Sequence, residues 1–224
     1  MTEFLLGIVS SLAATAATLA GGWLLSGSLP QWILVAFSRL TGLGLQRIHK
    51  FQKAANSEVE KEVGCASWLK VMAGRGNELT RDAFIPIWSG ENASLDFVQI
   101  LLPDPDSAEY SWLTRREEEL RDLDPGLGRG VLTQQVRANT SYLRQATKEN
   151  EKVALRFYNL PNLWRVIATD RLAYITLYRS GEHGRNSPCL VARRPGYLYD
   201  FALSLFTAAW RHSRPACGEA AEPS

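Results

Sequence analysis

The sequence predicts a membrane-spanning helix followed by one α/β domain built on a mixed sheet. Three observations carry that expectation. An uncharged apolar run fills Phe4 to Leu25. From about Gly64 onward, short apolar strand-like segments alternate with stretches of helical periodicity. Three strand-like segments then follow in quick succession between Val153 and Tyr178, the last two joined only by Asp170-Arg171, which is short enough to dictate a hairpin. The 224 residues leave room for one domain of ordinary size behind the anchor, and a formal net charge of +2 argues against a dedicated nucleic-acid binder.

The apolar run is long enough to cross a bilayer, for which roughly 20 residues are needed. As a helix it satisfies its own backbone polar groups, as lipid demands. A signal peptide would start basic and end at a small-residue cleavage site. Here the charge ahead of the run is Glu3, and the run closes with Trp23-Leu24-Leu25. Arg39, Arg47, Lys50 and Lys53 follow it, so the positive-inside rule places the N-terminus outside and the domain in the cytoplasm, at the cell membrane. Cys65, Cys189 and Cys217 keep no disulfide or metal spacing, as suits a reducing compartment. Ala13, Ala17 and Gly21 recur on one side of the run and permit close helix packing. The expected partners are therefore the lipid bilayer and, through the span or the domain, a second copy of the chain.

In chain order, Ser26-Gly27-Ser28-Leu29-Pro30 breaks the first helix. Gln31 to Lys53 interleaves Trp32, Ile33, Phe37 and Leu40 with basic residues, which fits an interfacial amphipathic helix or a helix docked on the domain. The polar stretch Ala54 to Glu62 reads as a linker. Ser67 to Ala73 reads as a strand, Gly74-Arg75-Gly76-Asn77 as a turn, Glu78 to Trp88 as a helix, and Leu95 to Leu102 as a central, almost wholly apolar strand. Pro103 to Ser107 stops that strand and starts a charged helix reaching about Leu123. After the break at Asp124 to Gly130, a further helix covers Val131 to about Asn150. Strands follow at Val153–Tyr158, Trp164–Thr169, Leu172–Tyr178 and Pro188–Ala192, with a glycine loop at Arg179–Ser187 and a closing helix at Tyr197–His212. The organisation expected is an anchor over 1–30, a juxtamembrane helix and linker over 31–62, the α/β domain over 63–214 and a loose tail over 215–224.

Chemistry-bearing residues are sparse. The turn Gly74-Arg75-Gly76-Asn77 could cradle a phosphate on backbone N–H groups or serve simply as a tight turn. Asp104 and Asp106 suit a metal ion or a helix start. His183 and Cys189 are too few for zinc, and no cofactor is expected. Arg115, Arg116 and Arg121 among Glu117, Glu118 and Glu119 read as a solvated helix face.

The stretch Leu163-Trp164-Arg165-Val166-Ile167-Ala168-Thr169-Asp170 resembles the phospholipase D-like superfamily, whose hallmark is His-x-Lys-x4-Asp running from one strand into the next. The likeness extends over about Gly64 to Arg214 and includes Gly74-Arg75-Gly76, Thr176, Ser187-Pro188 and Trp210. It implies a phospholipase D-like mixed-sheet domain with flanking helices. In that family the motif histidine attacks phosphorus and lysines hold the phosphate oxygens. Leu163 stands at the histidine position and has no lone pair to offer, so the resemblance implies a degenerate domain without the ancestral catalysis. Arg165 stands at the lysine position. Guanidinium groups hold phosphate bidentately without a nucleophile, which makes Arg75, Gly76, Arg156, Arg165, Asp170 and Arg185 the candidate ligand-binding residues. The function expected is a membrane-tethered, non-catalytic module that senses an anionic, phosphate-bearing small ligand or a protein partner. A membrane effector acting through its N-terminal helices, a phosphodiesterase with a non-standard site, and an unrelated α/β domain whose hairpin merely mimics the motif stay open at this point.

Overall fold

The computed structural model describes residues 31–80, 84–88, 95–107, 111–148, 150–161, 163–179 and 182–216, together with Ser11, Ala14, Thr15 and Thr18. Those last four are helical, and the Thr15 and Thr18 hydroxyls donate to the Ser11 and Ala14 carbonyls at 2.8 Å. The rest of the run assigned to the membrane span lies outside the described residues. Among the described residues no helix is long and apolar enough to cross a membrane.

Helix α1 (Gln31–Leu40) leads into strand β1 (Leu45–His49), and a 3₁₀ turn at Gln52–Ala55 into α2 (Asn56–Val63). Next come β2 (Trp68–Met72), a 3₁₀ turn at Asn77–Thr80, the short α3 (Ile85–Trp88), β3 (Phe97–Pro103), α4 (Trp112–Leu123) and α5 (Val131–Thr147). The second half holds β4 (Val153–Tyr158), β5 (Trp164–Thr169), β6 (Leu172–Leu177), a 3₁₀ turn at Gly184–Asn186, β7 (Cys189–Arg193), α6 (Tyr197–Arg211) and β8 (Arg214–Pro215). All eight described strands share one sheet in the order β1-β7-β6-β5-β2-β3-β4-β8. β2, β3 and β4 run parallel, as strands separated by helical crossovers must. β5 returns antiparallel beside β2 and opens the meander β5-β6-β7. The sheet is therefore mixed, as the segment order predicts.

Strand alternation sorts the apolar residues onto two faces. Leu69, Val71, Ile100, Leu102, Phe157 and Ile167 point to the face covered by α2, α3 and α5, where Val59, Ile87 and Leu143 meet them. Met72, Leu101, Val166 and Ala168 point to the opposite face, against Tyr199, Ala202 and Phe206 of α6. α4 packs on α5 through Leu113, Leu120, Leu132 and Val136. Each fully buried Val, Leu, Ile, Phe or Met side chain among them is worth about 1.5–3 kcal/mol.

Four expectations are corrected. The single helix expected over Gln31 to Lys53 stops at Leu40, because Gly42 and Gly44 hold positive φ and turn the chain back into β1. That strand pairs with β7 and belongs to the domain's sheet. The linker expected at Ala54 to Glu62 is mostly helical: Ala55, Val59 and Val63 recur at a spacing that buries all three, and the polar residues between them face outward. The helix expected over Glu78 to Trp88 is a 3₁₀ turn and a short α-helix, with residues 81–83 outside the described set. At the other end Arg214 and Pro215 pair with β4, and the Ala216 N–H donates to Leu155 O at 3.0 Å, so the start of the expected tail is part of the sheet.

Candidate anion-binding site

β2 ends at Met72, and the chain turns through Gly74, Arg75 and Gly76 on the face that carries α5. Gly76 sits at φ +77°, and a Cβ there would meet Leu102 Cδ2 at 3.0 Å, so both the backbone angle and the space select glycine. Asn139 of α5 fixes the turn by donating to Arg75 O at 2.9 Å and to the Asn77 side chain at 2.5 Å. With the turn pinned, Arg75 projects into a cavity of about 330 Å³.

Arg165 enters the same cavity from the start of β5, Tyr178 from just beyond β6, and Arg116 from α4. His183, Gly184 and Arg185 close it from the loop before β7, while Gln52 and Glu78 line its remaining side. Four guanidinium groups thus share one space with one carboxylate among the lining residues. Glu78 pairs with Arg165, which is 4% exposed, and it also accepts from the Gln52 amide. Arg165 Nε has no hydrogen-bond partner among the described residues. Arg116 donates to Glu119 at 2.7 Å and to Glu182 O at 3.0 Å, which ties the His183 loop to α4. Among the described residues the Arg75 guanidinium donates to the Gln135 side chain at 3.4 Å.

The electrostatics follow from crowding like charges in a half-enclosed space. Burial lowers the Arg75 guanidinium below its ordinary value; the charges of Arg116 and Arg185 push the same way, and Tyr178 opposes them. Burial raises the Tyr178 hydroxyl, with Arg165 and Arg75 pulling it partly back. Tyr178 is therefore a neutral hydrogen-bond donor at physiological pH. A cavity with surplus guanidinium charge and a phenol donor suits an anion with several acceptor oxygens.

Of the six residues singled out by sequence, the fold brings Arg75, Gly76, Arg165 and Arg185 to the cavity and leaves two outside its lining. Arg156 faces α6 instead: its guanidinium bonds Ser213 Oγ at 2.8 Å and Ser213 O at 2.5 Å and lies 5.4 Å from the Trp210 ring centre. Asp170 sits beyond the far end of β5, about 16 Å along the strand from Arg165, where it accepts from the Ser67 N–H at 2.9 Å. Leu163 is 53% exposed and is not among the residues that line the cavity. Thr176 is buried, in register between Arg165 and Cys189, and burial pushes the Cys189 thiol up.

Sequence reading missed Gln52, Glu78, Arg116, Tyr178 and His183. For Arg116 a signal existed: with Glu117 it falls between Leu113 and Leu120 on the buried stripe of α4, and both are nearly buried. Glu117 accepts from Gly130 N–H and from the Thr133 N–H and hydroxyl, capping α5, so this helix is not a solvated charged face. Asp104 and Asp106 are taken up by arginines. Asp104 holds Arg214 at 2.5 Å through both oxygens, and Asp106 pairs with Arg137 at 3.2 Å. Among the described residues no cluster of three or more His, Cys, Asp or Glu could hold a metal ion.

No family model matches the chain, and no curated protein matches it. Several solved structures are similar to it in shape, among them the following three. One is TrmBL2, an archaeal chromatin protein whose structure shows a novel mode of DNA binding. It has 12% identity and a TM-score of 0.48 over 96% of this chain and 67% of that chain. The phosphatidylserine synthase of Haemophilus influenzae Rd KW20 has 13% identity and a TM-score of 0.45 over 75% of this chain and 38% of that chain. Nuc from Salmonella typhimurium, a phospholipase D family member, has 14% identity and a TM-score of 0.43 over 72% of this chain and 90% of that chain. With every TM-score below 0.5, none of these likenesses carries an argument about what this chain does.

Proposed function

We propose that the chain is a degenerate phospholipase D-like module, tethered to a membrane by its N-terminal apolar run, that binds an anionic, phosphate-bearing ligand without hydrolysing it. One observation carries the reading: Arg75, Arg116, Arg165 and Arg185 line a single cavity in which Glu78 is the one carboxylate among the described lining residues. Two phosphate oxygens fit the fork of one guanidinium, and a second guanidinium neutralises the remaining charge. Leu163, at the position of the motif nucleophile, offers no attacking atom. His183 lies in the cavity but outside any motif, and its role in this reading is to bound the ligand.

A thermal-shift panel of the full-length chain in detergent tests the proposal. The panel comprises nucleotides, cyclic nucleotides, inorganic pyrophosphate and phospholipid headgroups. A binder at a hundred times its dissociation constant should stabilise the fold by about 2.7 kcal/mol and should be recovered chemically unchanged. Release of phosphate or of a cleaved diester by the wild type, lost on Arg165→Met, would show that catalysis survives and refute the non-catalytic part. Absence of any shift across the panel would refute the ligand.

A further inference from the structure

Helix α1 is turned inside out for a helix in water. Its buried side chain is Ser38, whose hydroxyl accepts from the Leu45 N–H at 2.6 Å, and at its start the Gln31 amide donates to Ile48 O at 2.6 Å. At about 100° per residue, Trp32, Leu40 and the half-buried Ile33 fall on the arc opposite Ser38, and Phe37 lies on its flank. Trp32 is 68% exposed, Phe37 64% and Leu40 86%. Polar contacts hold the helix to β1 while its apolar face points away from the protein. The face continues past the helix end: Leu43 is exposed, and the 71%-exposed Tyr197 lies against Gly42, its N–H donating to Gly42 O at 3.1 Å. An apolar surface of this extent marks a contact.

We infer that this face lies in the interfacial layer of a phospholipid bilayer carrying anionic headgroups. The inference rests on the proposed membrane tether and deepens it by fixing which face of the domain meets the lipid. Charge complementarity selects the occupant. Arg39, Arg193 and Arg194 are all exposed around the patch, and none forms an ion pair among the described residues. Asp200 is the acidic residue in the first turn of α6. An apolar stripe flanked by arginines, with Trp and Tyr at its two ends, suits the headgroup boundary, where aromatic rings settle and basic side chains meet anionic lipid. In the sequence the uncharged run ends at Leu25, and only five residues, 26–30, separate it from Gln31, so a run inserted in lipid keeps α1 close to the surface. A second copy of the chain would bring the same arginines together across its interface, which disfavours self-association here.

The test uses the full chain reconstituted in vesicles of phosphatidylcholine and phosphatidylglycerol whose acyl chains carry bromine, a contact quencher of tryptophan. Flotation with the vesicles reports the tether by itself. Leu40→Trp and Leu123→Trp place a reporter at two exposed leucines, one on α1 and one on α4. The emission that Leu40→Trp adds to the wild-type signal should be largely quenched, and the emission that Leu123→Trp adds should not. Trp32→Phe should remove a quenchable part of the wild-type signal. A chain that floats while Leu40→Trp stays bright refutes the surface and leaves the tether standing, whether protein, a second copy or water covers the face. Equal quenching at both positions refutes an oriented contact, and failure to float refutes tether and surface together.

Discussion

Arg156 on β4 and Arg165 on β5 belong to one sheet with β2 and β3 between them, and they do different things because strand alternation sends them to opposite faces. Arg165 meets Glu78 in the cavity, whereas Arg156 holds Ser213 and stacks on Trp210. Arg156→Ala should therefore cost about 1.5–3 kcal/mol, the worth of hydrogen bonds to a charged group, and lower the melting temperature. Pyrophosphate affinity should stay within error of wild type; an affinity loss without a stability loss would return Arg156 to the site. The tyrosines give a pH signature. Burial raises Tyr158, Tyr174, Tyr178 and Tyr199 above the ordinary phenol value, Tyr199 to about 12. The unfolded chain loses these protons from about pH 10, and the folded chain keeps them longer. Below that pH the stabilisation is complete, and it falls as pH climbs toward the folded values. Urea midpoints should be flat through neutral pH and drop steeply above about pH 10, with the phenolate absorbance of these four tyrosines appearing together with unfolding.

At the scale of elements, the strands were the easiest part to read and the segments ahead of them the hardest. Val153–Tyr158 and Trp164–Thr169 were legible because apolar runs bounded by turns have few other uses, and the hairpin because two residues cannot span anything wider. β1 was hidden: Leu45 to His49 alternates poorly, and only β7, distant in sequence, supplies its partner. α2 was hidden by its charged residues, which are the outward side of a helix that buries Val59 and Val63. A chain beginning at residue 63 lacks β1, Ala55, Val59 and the cavity residue Gln52. Val59 alone contributes about 1.5–3 kcal/mol, against a total stability of about 5–15 kcal/mol for a domain. The fragment 63–224 should be markedly less stable than 31–224, which keeps every described strand. Chemical denaturation of the two measures the difference, and equal midpoints would show that β1 and α2 are dispensable.

At the scale of the whole molecule, the sequence disclosed a mixed α/β sheet and three of the four cavity arginines, Arg75, Arg165 and Arg185. It could not disclose Arg116, Tyr178 or Glu78, since which helix and which loop cover a sheet face is decided by packing between residues far apart in the chain. It also could not separate Arg156 and Asp170 from the cavity, because a motif spacing says which residues are near in sequence and not which end or face of a strand they occupy. The assembled cavity is more basic and more enclosed than the motif alone suggests, and its one lining carboxylate is already paired with Arg165. Arg75 and Arg185 both line the cavity, the charge of Arg185 acts on Arg75, and neither forms an ion pair with a carboxylate among the described residues. The measurement that bears most directly on the proposed ligand site is equilibrium binding of pyrophosphate to the full-length chain and to the double variant Arg75→Gln/Arg185→Gln. The wild type should bind, more tightly at low salt, and the variant should lose at least about tenfold, or 1.4 kcal/mol. Equal binding by the two chains, or none by the wild type, would contradict an anion site in this cavity.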